Sequence, residues 1–258
     1  MIKTFSLLPF FTFQLTKVKV SLFITCLVDQ LCPNVGKATV EVLRRAGCEV
    51  VFDERQTCCG QPAFNTGYRS EARKFAKRFI EIFEESDADF IVSPSGSCTA
   101  MVKHFYELFA DDENWRSRAE RIAAKTHEFT SFLVNVLKIE ETGAKFSGKL
   151  TWHDACHGLR DLNIKEEPRA LLKNVRNAEF VELKNADACC GFGGTFSVKY
   201  PEISAAILDN KIAEIEKSGA DAVVACDASC LMQIGGRLSR LGAKAKPMHI
   251  AEILANQE

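Results

Sequence analysis

The sequence predicts an α/β protein of two pseudo-repeated halves, each a mostly parallel sheet flanked by helices. Three observations carry that expectation. Short β-prone runs alternate with amphipathic helical stretches, the same series of signals occurs twice at matched spacing, and four of the cysteines follow strand-like runs. The chain has 258 residues, 47% hydrophobic and 26% charged, an ordinary globular balance with length for one large or two smaller cores.

The elements follow in order. The opening stretch, MIKTFSLLPFFTFQLT, is interrupted by Pro9 and has no small-residue cleavage site after it. It falls short of the roughly 20 apolar residues of a membrane helix, so residues 1–16 read as a mobile extension before a fold that begins near Lys17. Residues 18–23, 49–52 and 90–93 are β-prone runs bounded by polar or glycine signals, and they give the strands of the first half. Between them Ser70 and Glu71 open a helix that repeats Phe75, Phe79 and Phe83 on one face. Residues 115–138 are helix-rich, and with the polar EETGAKFSG they form the connection between halves. Residues 149–152, 180–183 and 222–225 repeat the strand pattern, and Pro201 opens a counterpart helix carrying Ile203, Ile207 and Ile215. The expected organisation is an extension at 1–16, a first repeat with its helical connector at 17–147, and a second repeat at 148–258.

Eleven cysteines in a chain without an export signal point to a reducing, cytoplasmic setting in which thiols bind metal or do redox work; the odd count argues against a full disulfide framework. Cys26 precedes the adjacent pair Cys58 and Cys59 by 31 intervening residues, and Cys98 follows the pair after 38. Cys156, the pair Cys189 and Cys190, and Cys230 repeat this with gaps of 32 and 39. Cys26, Cys98, Cys156 and Cys230 fall at the carboxyl ends of strands, where open α/β sheets place ligands, so each half gathers four thiols at one mouth. Cys₄ zinc sites use two short chelating pairs, and only Cys226 and Cys230 have such a gap. An iron–sulfur cluster offers several irons, so neighbouring cysteines can each bind a different one while distant cysteines close the far side. Gly60 and Gly191, which follow the pairs, allow close backbone approach and direct N–H groups at the cluster.

These motifs resemble the cysteine-rich CCG domain found in heterodisulfide reductases, glycolate oxidase iron–sulfur proteins and the lactate utilization protein A group. CLVDQLCPNVG, CCGQPAFNTG, SGSCTAMV, HDACHGLR, CCGFGGTFSVK and ASCLMQIGG are most similar to the last group. The resemblance implies two clusters, 4Fe-4S by type and cubane or noncubane, one held by Cys26, Cys58, Cys59 and Cys98 and one by Cys156, Cys189, Cys190 and Cys230. It also implies an iron–sulfur protein passing electrons in a multi-subunit system that oxidises L-lactate to pyruvate, with other subunits of the complex as partners. The fuller family motif closes with a Cys-x-x-Cys, but Ser95 and Asp227 stand three residues before Cys98 and Cys230. A cluster-based catalytic subunit of heterodisulfide-reductase type and a zinc-stabilised scaffold are the alternatives, and no catalytic residue stands out.

His153 and His157 flank Cys156 as candidate cofactor-binding residues, through ligation, outer-shell contact or capping with Asp154. Arg160 faces the cluster's negative charge, a substrate carboxylate or the solvent. Cys32 and Cys48 read as small buried hydrophobes and Cys226 as a spare thiol. GFGGTF has Phe196 where a dinucleotide fingerprint needs its third glycine. His104, His127 and His249 read as structural residues in helical surroundings. The net charge of −1, pI near 6.5 and absence of a basic run exclude nucleic acid, and no segment predicts a membrane span.

Overall fold

The computed structural model describes residues 17–258; the extension expected over residues 1–16 lies outside them. Two four-stranded sheets carry the fold, and every strand pairing is parallel. The first sheet contains β1 (Lys19–Leu22), β2 (Glu49–Val51), β3 (Phe90–Ser93) and β4 (Thr126–Glu128) in the order β2-β1-β3-β4. The second contains β5 (Lys145–Trp152), β6 (Arg176–Phe180), β7 (Ala222–Ala225) and β8 (Lys246–His249) in the order β6-β5-β7-β8. The order is the same in both, with Val20 opposite Val50 and Phe90, and Leu150 opposite Phe180 and Ala222. Parallel neighbours need crossovers, and helices supply them.

The first-half helices are α1 (Cys26–Leu31), α2 (Pro33–Arg45), α3 (Gln61–Asn65), α4 (Arg69–Glu84), α5 (Gly96–Lys103), α6 (Glu113–Lys125) and the short α7 (Phe129–Ser131). The second half has α8 (Cys156–Arg160), α9 (Glu166–Lys173), α10 (Thr195–Lys199), α11 (Pro201–Ser218), α12 (Ala228–Leu241) and α13 (Ile250–Ala255). The halves embrace reciprocally: α13 packs on α2 and α7 on α9, while α5 meets α8 and α1 meets α12. The Arg45 guanidinium donates to the carbonyls of Leu254 and Ala255, tying α2 to the end of α13. One core therefore runs through both sheets, including Val20, Leu22, Phe129, Leu150, Trp152, Val223 and Ile250. A second core under α4 stacks Phe79 on Phe83 and sets Phe23 edge-on to both.

Several elements depart from the sequence reading. β4 and β8 are additional strands, β4 lying inside the stretch read as a helix-rich connector, and β5 starts within EETGAKFSG. β6 ends at Phe180, where the pattern places a strand over 180–183. On α4 Phe79 and Phe83 are buried, but Phe75 is 38% exposed. On α11 Ile203 is 54% exposed; the buried stripe is Ser204, Leu208, Lys211, Ile212 and Ile215. The buried Lys211 directs its ammonium to the carbonyls of Asn185 and Ala186, which turns the helix face away from the all-isoleucine stripe.

Candidate metal centre

Each β-strand that leads to a cysteine hands it to the first turn of a helix. Cys26 opens α1 and Cys156 opens α8, directly after β1 and β5. Cys98 and Cys230 lie in the first turns of α5 and α12, after β3 and β7. Helix first turns carry unpaired N–H groups, which favour anionic sulfur. The adjacent pairs arrive on the loops before α3 and α10. Gly60 and Gly191 adopt φ of +84° and +81°, and their N–H groups donate to the sulfurs of Cys58 (3.4 Å) and Cys189 (3.3 Å). No side chain fits there: a Cβ would lie 2.9 Å from Phe75 Cβ at Gly60 and 2.5 Å from the Ser204 carbonyl oxygen at Gly191.

The two mouths expected from the sequence are one. Cys26, Cys58, Cys59, Cys98, Cys156, Cys189, Cys190 and Cys230 all line a single cavity of about 250 Å³ between the halves. Cys26 and Cys58 sulfurs are 3.6 Å apart and those of Cys190 and Cys230 3.2 Å, so these are free thiols in van der Waals or hydrogen-bonding contact. Cys59, Cys190 and Cys230 are buried and the other five half-buried. Without metal most of these thiols hold their protons. The pKa values of Cys26, Cys59 and Cys189 are raised first by hydrogen bonding to Cys58, Cys58 and Cys190 respectively, with burial adding to each. Burial comes first for Cys156. Cys58, the acceptor of the Cys26 thiol, goes the other way, pushed down to about 3. A metal bound by these sulfurs would have to displace the retained protons.

His157 lines the same cavity, but its Nδ1 is engaged by Asp161 at 2.5 Å. His153 lies behind the wall, wholly buried, and its imidazole and the sulfurs of Cys190 and Cys230 lie within 4.8 Å of one another. Burial, with Lys211 nearby, pushes its pKa down to about 3, which keeps the ring neutral. Asp154 does not cap α8 with the histidines. Its carboxylate accepts from Trp152 Nε1 (2.7 Å) and from both terminal nitrogens of Arg169 (2.9 and 2.8 Å), a buried pair anchoring the loop before Cys156. Arg160 is exposed, and its charge offsets a little of the rise in the thiol pKa values of Cys156 and Cys189.

Ser95, Ser97 and Asp227 line the same cavity and belong to a polar cluster that sequence reasoning missed as a unit. Asp227 accepts from the hydroxyls of Ser95 and Ser97, both at 2.7 Å, and from the Ser97 N–H at 3.2 Å. His249, at the end of β8 and at the N-terminus of α13 rather than inside a helix, places Nε2 3.1 Å from the Pro94 carbonyl and 2.9 Å from that of Cys226. His127 lies in β4. Cys226 is buried against Asp227, and Cys48 is buried as expected, whereas Cys32 is half-buried.

A parallel α/β pair with paired cysteine motifs at one mouth is the architecture of a tandem cysteine-rich domain. The family described as "Cysteine-rich domain" (CCG) matches residues 20–103 and 150–235. Lactate utilization protein A of an Exiguobacterium species is 54% identical over 235 residues, covering 91% of this chain and 96% of that protein. The protein of the same name from Bacillus subtilis is 52% identical over 237 residues, covering 92% and 99%. The chain belongs to the CCG cysteine-rich domain family and, within it, to the lactate utilization protein A group. A hypothetical protein from Helicobacter pylori shares the fold, with a TM-score of 0.59 at 10% identity, over 92% of this chain and 48% of that one, so the chain spans about half its length. Among the described residues no helix is long and apolar enough to cross a membrane.

Proposed function

We propose that the protein is an electron-carrying iron–sulfur subunit of a system that oxidises L-lactate to pyruvate. The lactate assignment draws on the names of its relatives. The observation that carries the electron-transfer reading is the meeting of all eight motif cysteines at one cavity. Among the described residues, the one group of three donors within 4.8 Å of one another is His153, Cys190 and Cys230, so the eight thiols as a set are too spread for single ions. They fit larger groups, and two clusters of 4Fe-4S type are the natural occupants.

Cys26, Cys58, Cys59 and Cys98 would hold one cluster and Cys156, Cys189, Cys190 and Cys230 the other. Such clusters take up and release single electrons. The chain's own part is to bind and tune. The Gly60 and Gly191 N–H groups are bonded to ligand sulfurs, an interaction that stabilises negative charge and raises potential. Oxidation of lactate to pyruvate releases two electrons and two protons, and the removal from lactate falls to partner subunits in the cytoplasm.

The test is iron, acid-labile sulfide and zinc per chain on anaerobically purified protein, with EPR before and after reduction. About eight iron and eight sulfide support the reading, since each four-iron cluster contributes about four of each. Zinc without iron or sulfide after anaerobic reconstitution makes the protein a scaffold. Lactate oxidation by the chain alone makes it the catalytic subunit.

A further inference from the structure

Besides Ser95 and Asp227, the two halves differ at a buried position beside the motif cysteines. Phe23 and His153 are equivalents: each follows its strand, each stands three residues before a cysteine, Cys26 or Cys156, and each donates its backbone N–H to the strand across, Phe23 to Val92 and His153 to Val224, both at 2.9 Å. Phe23 turns into the aromatic core against Phe79 and Phe83. The His153 ring, 1% exposed as a residue, has no hydrogen-bond partner at either Nδ1 or Nε2. Buried polar atoms are normally paired, and an imidazole left without partners is a cost that folding does not otherwise impose. The sulfurs of Cys190 and Cys230 share its space, with the Lys211 ammonium and the Ala186 backbone also close to the ring.

Resting on the metal-binding reading above, we propose that His153 is a nitrogen ligand of the metal group held by Cys190 and Cys230. The second half then offers four thiolates and an imidazole where the first offers four thiolates alone, and the two sites are chemically distinct. A neutral imidazole with a free lone pair is the ligating form of histidine, and the inner pair Cys190 and Cys230 is the place where a fifth donor reaches.

The test uses the full chain, reconstituted anaerobically with iron and sulfide, labelled with ¹⁵N-histidine and reduced for pulsed EPR. The expected result is nitrogen hyperfine coupling on one of two cluster signals, lost in His153→Phe, which copies the first half, and kept in His157→Ala. His153→Phe should also move one midpoint potential and leave the other in place. Full iron content with no nitrogen coupling in the unsubstituted protein, or coupling that survives in His153→Phe, overturns the ligand assignment and leaves the electron-transfer reading standing. If the protein holds zinc instead of iron, that reading fails and the ligand assignment is decided by zinc stoichiometry, with loss in His153→Phe supporting it and retention overturning it. A chain that takes up neither metal overturns both.

Discussion

Ser95 and Asp227 occupy the same place in their respective halves, three residues before Cys98 and Cys230, and they bond to each other across the molecule at 2.7 Å. Asp227 is 2% exposed and also holds the hydroxyl and backbone N–H of Ser97, next to Cys98. Asp227→Ala strands these donors and is expected to cost about 2–4 kcal/mol in chemical denaturation. Asp227→Asn keeps an acceptor and should cost roughly half as much. A change below about 0.5 kcal/mol in Asp227→Ala would show that the bond does not hold the halves together.

Glu128 predicts a pH dependence of stability. It is buried at the end of β4, and burial lifts its pKa to about 7 from 4.5, against hydrogen bonds from Thr130 and Ser131 and with Asp227 adding repulsion. Below 4.5 the carboxyl is protonated in both folded and unfolded chains; between 4.5 and 7 only the folded chain keeps the proton. Stability therefore falls as pH rises through that window, by up to about 3 kcal/mol for this group alone. Glu128→Gln keeps an acceptor for Thr130 and should flatten the profile in urea denaturation at pH 5 and pH 8. An unchanged slope would mean that the carboxyl is ionised without penalty.

Arg169 predicts a large effect from a residue remote from the cysteine motifs. It binds Asp154 through two nitrogens and Glu182 through two bonds, and Asp154 has a 3% exposed side chain. Arg169→Ala leaves that carboxylate buried with Trp152 Nε1 as its remaining side-chain donor, a loss of about 3–5 kcal/mol. Arg169→Lys should recover little, because an ammonium cannot bridge both carboxylates as the planar guanidinium does. Urea midpoints of the two variants decide this.

The glycines should rank by what surrounds them. Gly191→Ala drives a methyl into the Ser204 carbonyl and forces a left-handed residue, so it should cost more than about 3 kcal/mol. Gly219→Ala, at the end of α11, also forces a left-handed residue, φ +65° and ψ +18°, but with nothing within 4 Å of the added Cβ, and should cost about 1 kcal/mol. Equal melting temperatures would place the strain elsewhere than at the loop that presents Cys189 and Cys190.

Cys59→Ser and Cys190→Ser should each remove about half of the bound iron, roughly four atoms, whereas Cys48→Ser should leave it unchanged. Equal loss in all three would separate iron from the motif cysteines.

The cysteine motifs and the βα repeat are legible in the sequence because they depend on local order: a strand, then a thiol in a helix's first turn, written twice. β4 is hidden because three residues, Thr126, His127 and Glu128, lie between helices and become a strand only by pairing with β3. β8 carries Pro247, which a sheet tolerates at its edge, and the strand occupies an edge. The Asp154 and Arg169 pair, the Asp227 cluster and the merging of two mouths into one cavity are tertiary facts, and no spacing encodes them. The polar residue at 153, in the place that Phe23 takes in the first half, is, with Ser95 against Asp227, a visible trace of asymmetry at the centre.

The Ser95 and Asp227 contact also says why both halves reside in one polypeptide. A homodimer of identical half-chains would face serine with serine or aspartate with aspartate across its twofold axis, and the second pairing would bury two like charges. Covalent linkage lifts that symmetry requirement. Donor and acceptor can then be written separately on the two sides, and the same freedom permits Phe23 on one side and His153 on the other.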